Sequence, residues 1–186
     1  MCTKRTKFFT LILTISITLM CLNSTLYAAK AAEIEKESNE ALQKLYASNP
    51  EIKKLGSKAK GILVFPKITK AGFIVGGQGG DGALFKAGKA AGYYRSAAGS
   101  VGLQAGVQTY GYAMFFLDDE SLKYLEESKG WEIGTGPSVV IADEGFGKTA
   151  TTSTLKKGIV AFIFGQKGLM AGIGLQGSKI TKINPD

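Results

Sequence analysis

Val101-Gly102-Leu103-Gln104-Ala105-Gly106-Val107-Gln108 sets an apolar residue at every second position, with glycine or glutamine between. Successive strand side chains point to opposite faces, so a period of two predicts a strand with one apolar face. The same signal extends outward in short pieces. Before it lie Ile62 to Phe65, an apolar run closed by Pro66, then Gly72 to Gly77, Ala83 to Phe85 and Tyr93 to Gly99. After it lie Tyr110 to Leu117, Val139 to Ala142, Ile159 to Phe164 and Leu169 to Leu175. Helices do not alternate with these strands, so a parallel sheet is not expected. All 25 glycines fall between Gly56 and Gly177. Glycine weakens a strand and marks bulges, bends or close backbone approach. The expected class is α+β: N-terminal helices, then a glycine-rich, curved or closed antiparallel sheet with one internal helix.

The helices are predicted from spacing and caps. Ala31 to Ala47 places Ile34, Leu42 and Leu45 on one face, and Ser48-Asn49-Pro50 stops it. Asn49 caps a second helix with Pro50 in its first turn, running to about Lys60. Asp118 or Asp119 caps a third through Ser128, with Leu122 and Leu125 on one face and Gly130 ending it. The helical part is thus 31–60 and the glycine-rich part 61–183.

Upstream of the helices, Lys4, Arg5 and Lys7 precede the uncharged apolar stretch Phe8 to Leu22, followed by Asn23-Ser24-Thr25 and Ala28-Ala29. Basic, apolar, then polar with small residues is the pattern of a signal peptide. The apolar run is shorter than the roughly 20 residues of a spanning helix. The expectation is a leader over 1–28, cut after Ala28, and one domain over 29–186, exported to the periplasm or cell envelope. Cys21 raises a lipoprotein alternative, although Met20 stands where a lipobox carries Gly or Ala.

Cys2 and Cys21 are the only cysteines and there is no histidine. A chain starting at Ala29 then has no disulfide, thiolate metal site, His triad or His general base. The whole chain has a net charge of +8.

Two nucleotide-binding patterns fail on context. Ala142-Asp143-Glu144-Gly145-Phe146-Gly147-Lys148-Thr149 fits a relaxed phosphate loop. The β-branched run that follows is a poor helix, and Asp143 and Glu144 would repel phosphate. Gly77-Gln78-Gly79-Gly80-Asp81-Gly82 holds G-x-G-x-x-G, but a short apolar segment follows, so a hairpin or bulge is expected. No carboxylate pair suits acid–base work, and Asp118-Asp119-Glu120 fits a helix start. No catalysis, metal or cofactor is expected.

Charge is more informative. Six lysines (Lys53, Lys54, Lys58, Lys60, Lys67 and Lys70) lie between Glu51 and Lys70 with only Glu51 opposing them. They are the candidate lipid-binding residues, because each lysine near an anionic bilayer contributes about 1 kcal/mol. The competing explanation is an ordinary solvated face. Nucleic acid is not expected: Arg95 is the only arginine after the leader. The tyrosines suit a core or a membrane interface.

Three ordered blocks resemble the SYLF domain family. Ala59 to Pro66 with Thr69 to Phe73 and Gly76-Gly77 resembles its opening; Ala97 to Gly106 with Tyr110-Gly111-Tyr112 its centre; Phe162 to Gly172 with Gly177 to Ile180 its close. The resemblance implies a lipid-binding module without catalytic residues. Eukaryotic members bind phosphoinositides through an N-terminal amphipathic helix and basic residues, and yeast relatives also bind actin. Here the first helix is acidic, with Glu33, Glu35, Glu37 and Glu40. That departs from the helix-mediated mode; and because an exported protein would meet neither phosphoinositide nor host actin, lipid binding is carried over without a particular headgroup, and actin stands by resemblance alone. The expected partner is anionic phospholipid or a membrane surface. The alternative is a protein-interaction or envelope-structure module, and an outer-membrane barrel fails on strand length.

Overall fold

The computed structural model describes residues 30–142, 158–167, 175 and 177–185. The signal-peptide expectation, the 143–154 loop with its phosphate-loop pattern, and nearly all of the 169–175 strand lie outside the described residues. Ile34–Asn184 forms one compact unit, described below; of the other, only residues 30–33 and 185 are described.

Two strands dominate this unit, β1 (Gly61–Lys86) and β2 (Lys89–Phe116). They pair antiparallel along their whole length, from Gly61 opposite Phe116 to Lys86 opposite Lys89. Only Ala87 and Gly88 connect them, both at positive φ (48° and 77°). Two such residues make the turn whose twist matches the strands it joins. The five pieces expected between Ile62 and Thr109 are thus parts of two strands. Pro66 does not close the first piece. It sits in a bulge between Phe65 and Ile68, where no ladder donor is needed. The Gly77–Gly82 run likewise is neither a hairpin nor a turn: it lies within β1, paired with residues 94–99.

Strands this long must bend to stay compact. A second register shift, between Gly72 and Ile74, lets β2 advance four residues, Gly106 to Gly102, while β1 advances two. At this bend Gly72 packs directly on the Gly76 backbone. Beyond it β1 returns over itself. A Cβ at Gly82 would meet the Val64 carbonyl and lie 2.7 Å from the Phe65 ring. Glycine is used here because backbone fills the space a side chain would need. The hairpin is therefore curled, with an inner and an outer face.

The remaining strands extend the curl. β5 (Ile159–Lys167) and β6 (Lys179–Ile183) both pair antiparallel with β2, at Thr109–Phe116 and Tyr93–Ala97. β3 (Trp131–Glu132) adds to β6, and β4 (Val139–Ala142) adds to β5. The β4–β5 pair is parallel, contrary to the all-antiparallel expectation. Segment 143–158 is long enough for the crossover of a dozen residues that a parallel pair needs. β3 and β6 are additional to the strands expected.

Each face has its own core. The inner face holds Leu63, Phe65, Leu84, Tyr94, Tyr110, Tyr112, Met114 and Phe116, closed by Leu122 and Leu125 of α3 (Asp119–Glu127) and by Trp131 and Ile133. The Trp131 indole N–H donates to the Thr135 carbonyl at 2.7 Å. Asp118 caps α3 as expected: its side chain accepts from the Ser121 N–H at 2.7 Å and also from the Gly158 N–H. The outer face carries Ile62, Val64, Ala83, Phe85, Ala113, Phe115 and Phe162, covered by α1 (residues 30–48) and α2 (Pro50–Gly56). Ile34, Leu42 and Leu45 of α1 face this core as their spacing predicts. Ser38 joins them and donates to the Val64 carbonyl at 3.2 Å.

Candidate functional site

α2 starts where Asn49 accepts a hydrogen bond from the Glu51 N–H at 2.9 Å, with Pro50 behind it. It stops at Gly56, short of the expected Lys60. Ile52 and Leu55 are buried against the sheet. The lysines between and after them therefore face outward. Lys53 is exposed and borders a groove of about 400 Å³ with Tyr46, Gly56, Phe85 and Gly88. Lys54 pairs with Glu51 at 2.7 Å. Lys58 is exposed. Lys60 reaches Asp119 of α3 at 3.4 Å, both side chains being largely solvated, a geometry that contributes little stability.

The last two predicted residues belong to β1. Lys67 is exposed in the bulge after Pro66. Lys70 lies opposite Gln108 on the inner face, half-buried and engaged by a neighbour. The six lysines thus divide by element: four on or just after α2, two on β1. Lys53, Lys58 and Lys67 are exposed and make no ion pair among the described residues.

Sequence reasoning did not single out the polar groups of the inner face. The Tyr110 hydroxyl donates to Gln78 Oε1 at 3.0 Å, and Gln78 Nε2 donates to Ser178 Oγ at 3.1 Å. Ser178 is buried. This chain ties β1, β2 and the start of β6 together inside the curl. Gln108 Oε1 is buried there without a hydrogen-bond partner among the described residues, and the buried Tyr112 hydroxyl lies beside Ser96. Burial pushes the Tyr94 and Tyr110 phenols up to about 12, and Tyr112 further, although Ser96 beside Tyr112 works slightly against it. Gln78 could not be found from its neighbours, since a glycine run has no periodicity to assign a face.

A second groove, of about 510 Å³, runs between the helices and β5, lined by Leu45, Ile52, Phe162 and Phe164 with Lys44 at its side. Among the described residues no group of acidic, His or Cys side chains could hold a metal ion, and no helix is long and apolar enough to cross a membrane.

Two helices cover the outer face of a curled, glycine-rich sheet, and its two long strands carry the first two of the sequence blocks that resemble the SYLF domain. Residues 97–185 match the family model Ysc84, described as "Las17-binding protein actin regulator", in agreement with the SYLF resemblance of the sequence. No curated protein matches the chain. At the level of the family, this match points to lipid or actin-related binding.

Proposed function

We propose that this protein is a non-enzymatic module that binds anionic phospholipid at the surface of a membrane, exported to the periplasm or envelope by the leader at residues 1–28. The observation that supports the lipid reading best is the set of exposed lysines Lys53, Lys58 and Lys67, which make no ion pair among the described residues. An ammonium without a carboxylate partner is free to meet phosphate. Several near one bilayer add about 1 kcal/mol each, enough for reversible association without a deep pocket. Lys54 and Lys60 contribute less, because Glu51 and Asp119 already neutralise them.

The test is vesicle co-sedimentation of the protein and of the triple variant Lys53→Glu, Lys58→Glu, Lys67→Glu. The proposal expects binding to vesicles containing phosphatidylglycerol and its loss in the variant, with the fold unchanged. Equal binding by both proteins would remove these lysines from the contact. A second reading, a protein-binding module, is supported by the description of the Ysc84 family as binding an actin regulator. Absence of vesicle binding would favour it.

A further inference from the structure

The helices cover only part of the outer face of the hairpin. Their core meets Ile62 and Val64, Ala83 and Phe85, and Ala113 and Phe115. Toward the bend, the outward positions are Ala71, Val75 and Gly77 on β1, and Ala97, Gly99 and Val107 on β2, and all six are exposed. Val75 and Val107 are 67% and 63% exposed, the most exposed large hydrophobic residues among those described. A Cβ at Gly99 would meet nothing within 4 Å.

The chemistry of this strip is unusual for a face in water. Residues 71–80 and 96–117 contain no charged side chain, in a chain that is 20% charged. A solvated sheet face usually alternates polar residues outward. Here the outward residues are alanine, valine and glycine. The nearest charges along the strands are Lys67 and Lys70 on one side and the Asp81–Arg95 pair on the other. That pair is neutralised by two hydrogen bonds of 2.6 and 2.8 Å. Among the described residues, the charge at the margin of the strip that makes no ion pair is therefore basic, at Lys67 and at Lys179, which lies opposite Ala97.

We infer that the bare bend of the β1–β2 hairpin inserts into the interfacial layer of an anionic bilayer, with Val75 and Val107 among the acyl chains and Lys67 at the phosphates. The inference rests on the lipid reading above and adds an apolar contact to it. An element that enters lipid must satisfy its backbone polar groups internally. A hairpin paired from Ile74–Gly80 to Ser96–Gly102 meets most of that requirement without a partner. The charge at its margin matches an anionic headgroup layer, and the small outward residues make no specific polar demand on a protein. Two valines imply shallow insertion, so contact adds to the lysines rather than replacing them.

Labelling tests this directly, because a chain with Cys2→Ser and Cys21→Ser has no other cysteine. In that background an environment-sensitive fluorophore is attached at Val75→Cys, at Val107→Cys or, as a control, at the exposed Lys123→Cys of α3. With phosphatidylglycerol vesicles the bend labels should shift to the blue, resist iodide and be quenched by spin-labelled lipid, while the control stays in water. The double variant Val75→Asp, Val107→Asp should retain its melting temperature and lose about tenfold in vesicle affinity. Co-sedimentation with the bend labels still in water would overturn insertion and leave the lipid reading standing. No co-sedimentation would overturn both. A blue shift without vesicles that grows with protein concentration would show that a second copy covers the bend, and would also overturn the inference.

Discussion

Gly82 and Gly99 belong to the same hairpin, yet they answer to different physics. At Gly82, near the root, a Cβ would press on the Val64 carbonyl and the Phe65 ring; at Gly99, near the bend, it would reach open space. The root is packed on both faces, by α3 and Trp131 inside and by α1 and α2 outside. The bend is bare on its outer face and carries no charge. Glycine at the root permits contact within the protein. Glycine at the bend keeps a surface smooth and apolar, which fits contact with something else.

The largest expected difference between the two regions is in alkali. The inner face of the root and the wall beyond it hold Tyr94, Tyr110 and Tyr112, all raised from 10.0 by burial, the first two to about 12. Residues 71–80 and 96–107 hold no titratable side chain at all. Above pH 10 the unfolded chain ionises phenols that the folded chain keeps neutral. Stability is therefore complete below pH 10 and falls as pH rises toward 12, by about 1.4 kcal/mol per pH unit for each phenol. Urea denaturation at pH 8, 10 and 11 checks this. A flat profile would mean that these phenols are not buried.

Side-chain truncation sharpens the contrast. Phe115 is fully buried and meets the Phe162 ring edge-on at 5.3 Å. Phe115→Ala should cost about 3–5 kcal/mol in denaturant unfolding, and Val107→Ala should lie within about 0.5 kcal/mol of the native protein. Comparable losses at both sites would mean that the bend is packed.

The glycines themselves give a smaller effect of opposite sign. Gly82→Ala should destabilise by about 1–3 kcal/mol through overpacking. Gly99→Ala should be neutral or stabilise by up to about 1 kcal/mol, since alanine has less freedom to lose on folding. Smallest of all is the connection: Ala87 holds φ at 48°, a conformation that asparagine tolerates better than alanine. Ala87→Asn should therefore raise the melting temperature slightly.

The sequence was most legible where local chemistry decides. Ile34, Leu42 and Leu45 predict the buried stripe of α1, Asn49-Pro50 the start of α2, and Asp118 the cap of α3. The strands were legible as apolar alternation but not as whole elements. Gly72, Gly80 and Gly82 interrupt the pattern that defines β1, because backbone that only the fold brings there fills the space a side chain would need. Pro66 reads as a stop, yet a bulge accommodates it. The parallel β4–β5 pair depends on how segment 143–158 returns the chain, which no short window encodes. Among the candidate lysines, charge density identified the region but not the partners: Glu51 and Asp119 neutralise Lys54 and Lys60, and Asp119 is distant in sequence. Val75 and Val107 carried no warning, since an apolar strand residue is usually buried.

The central claim is that basic side chains and a bare hairpin bend together hold this protein on an anionic membrane. Its most direct test is vesicle affinity as a function of salt, with phosphatidylglycerol and with neutral phosphatidylcholine vesicles. The account predicts binding to the anionic vesicles that weakens steeply with salt, and far weaker binding to the neutral ones at every salt concentration. Equal binding to both compositions, or binding to neither, would contradict it.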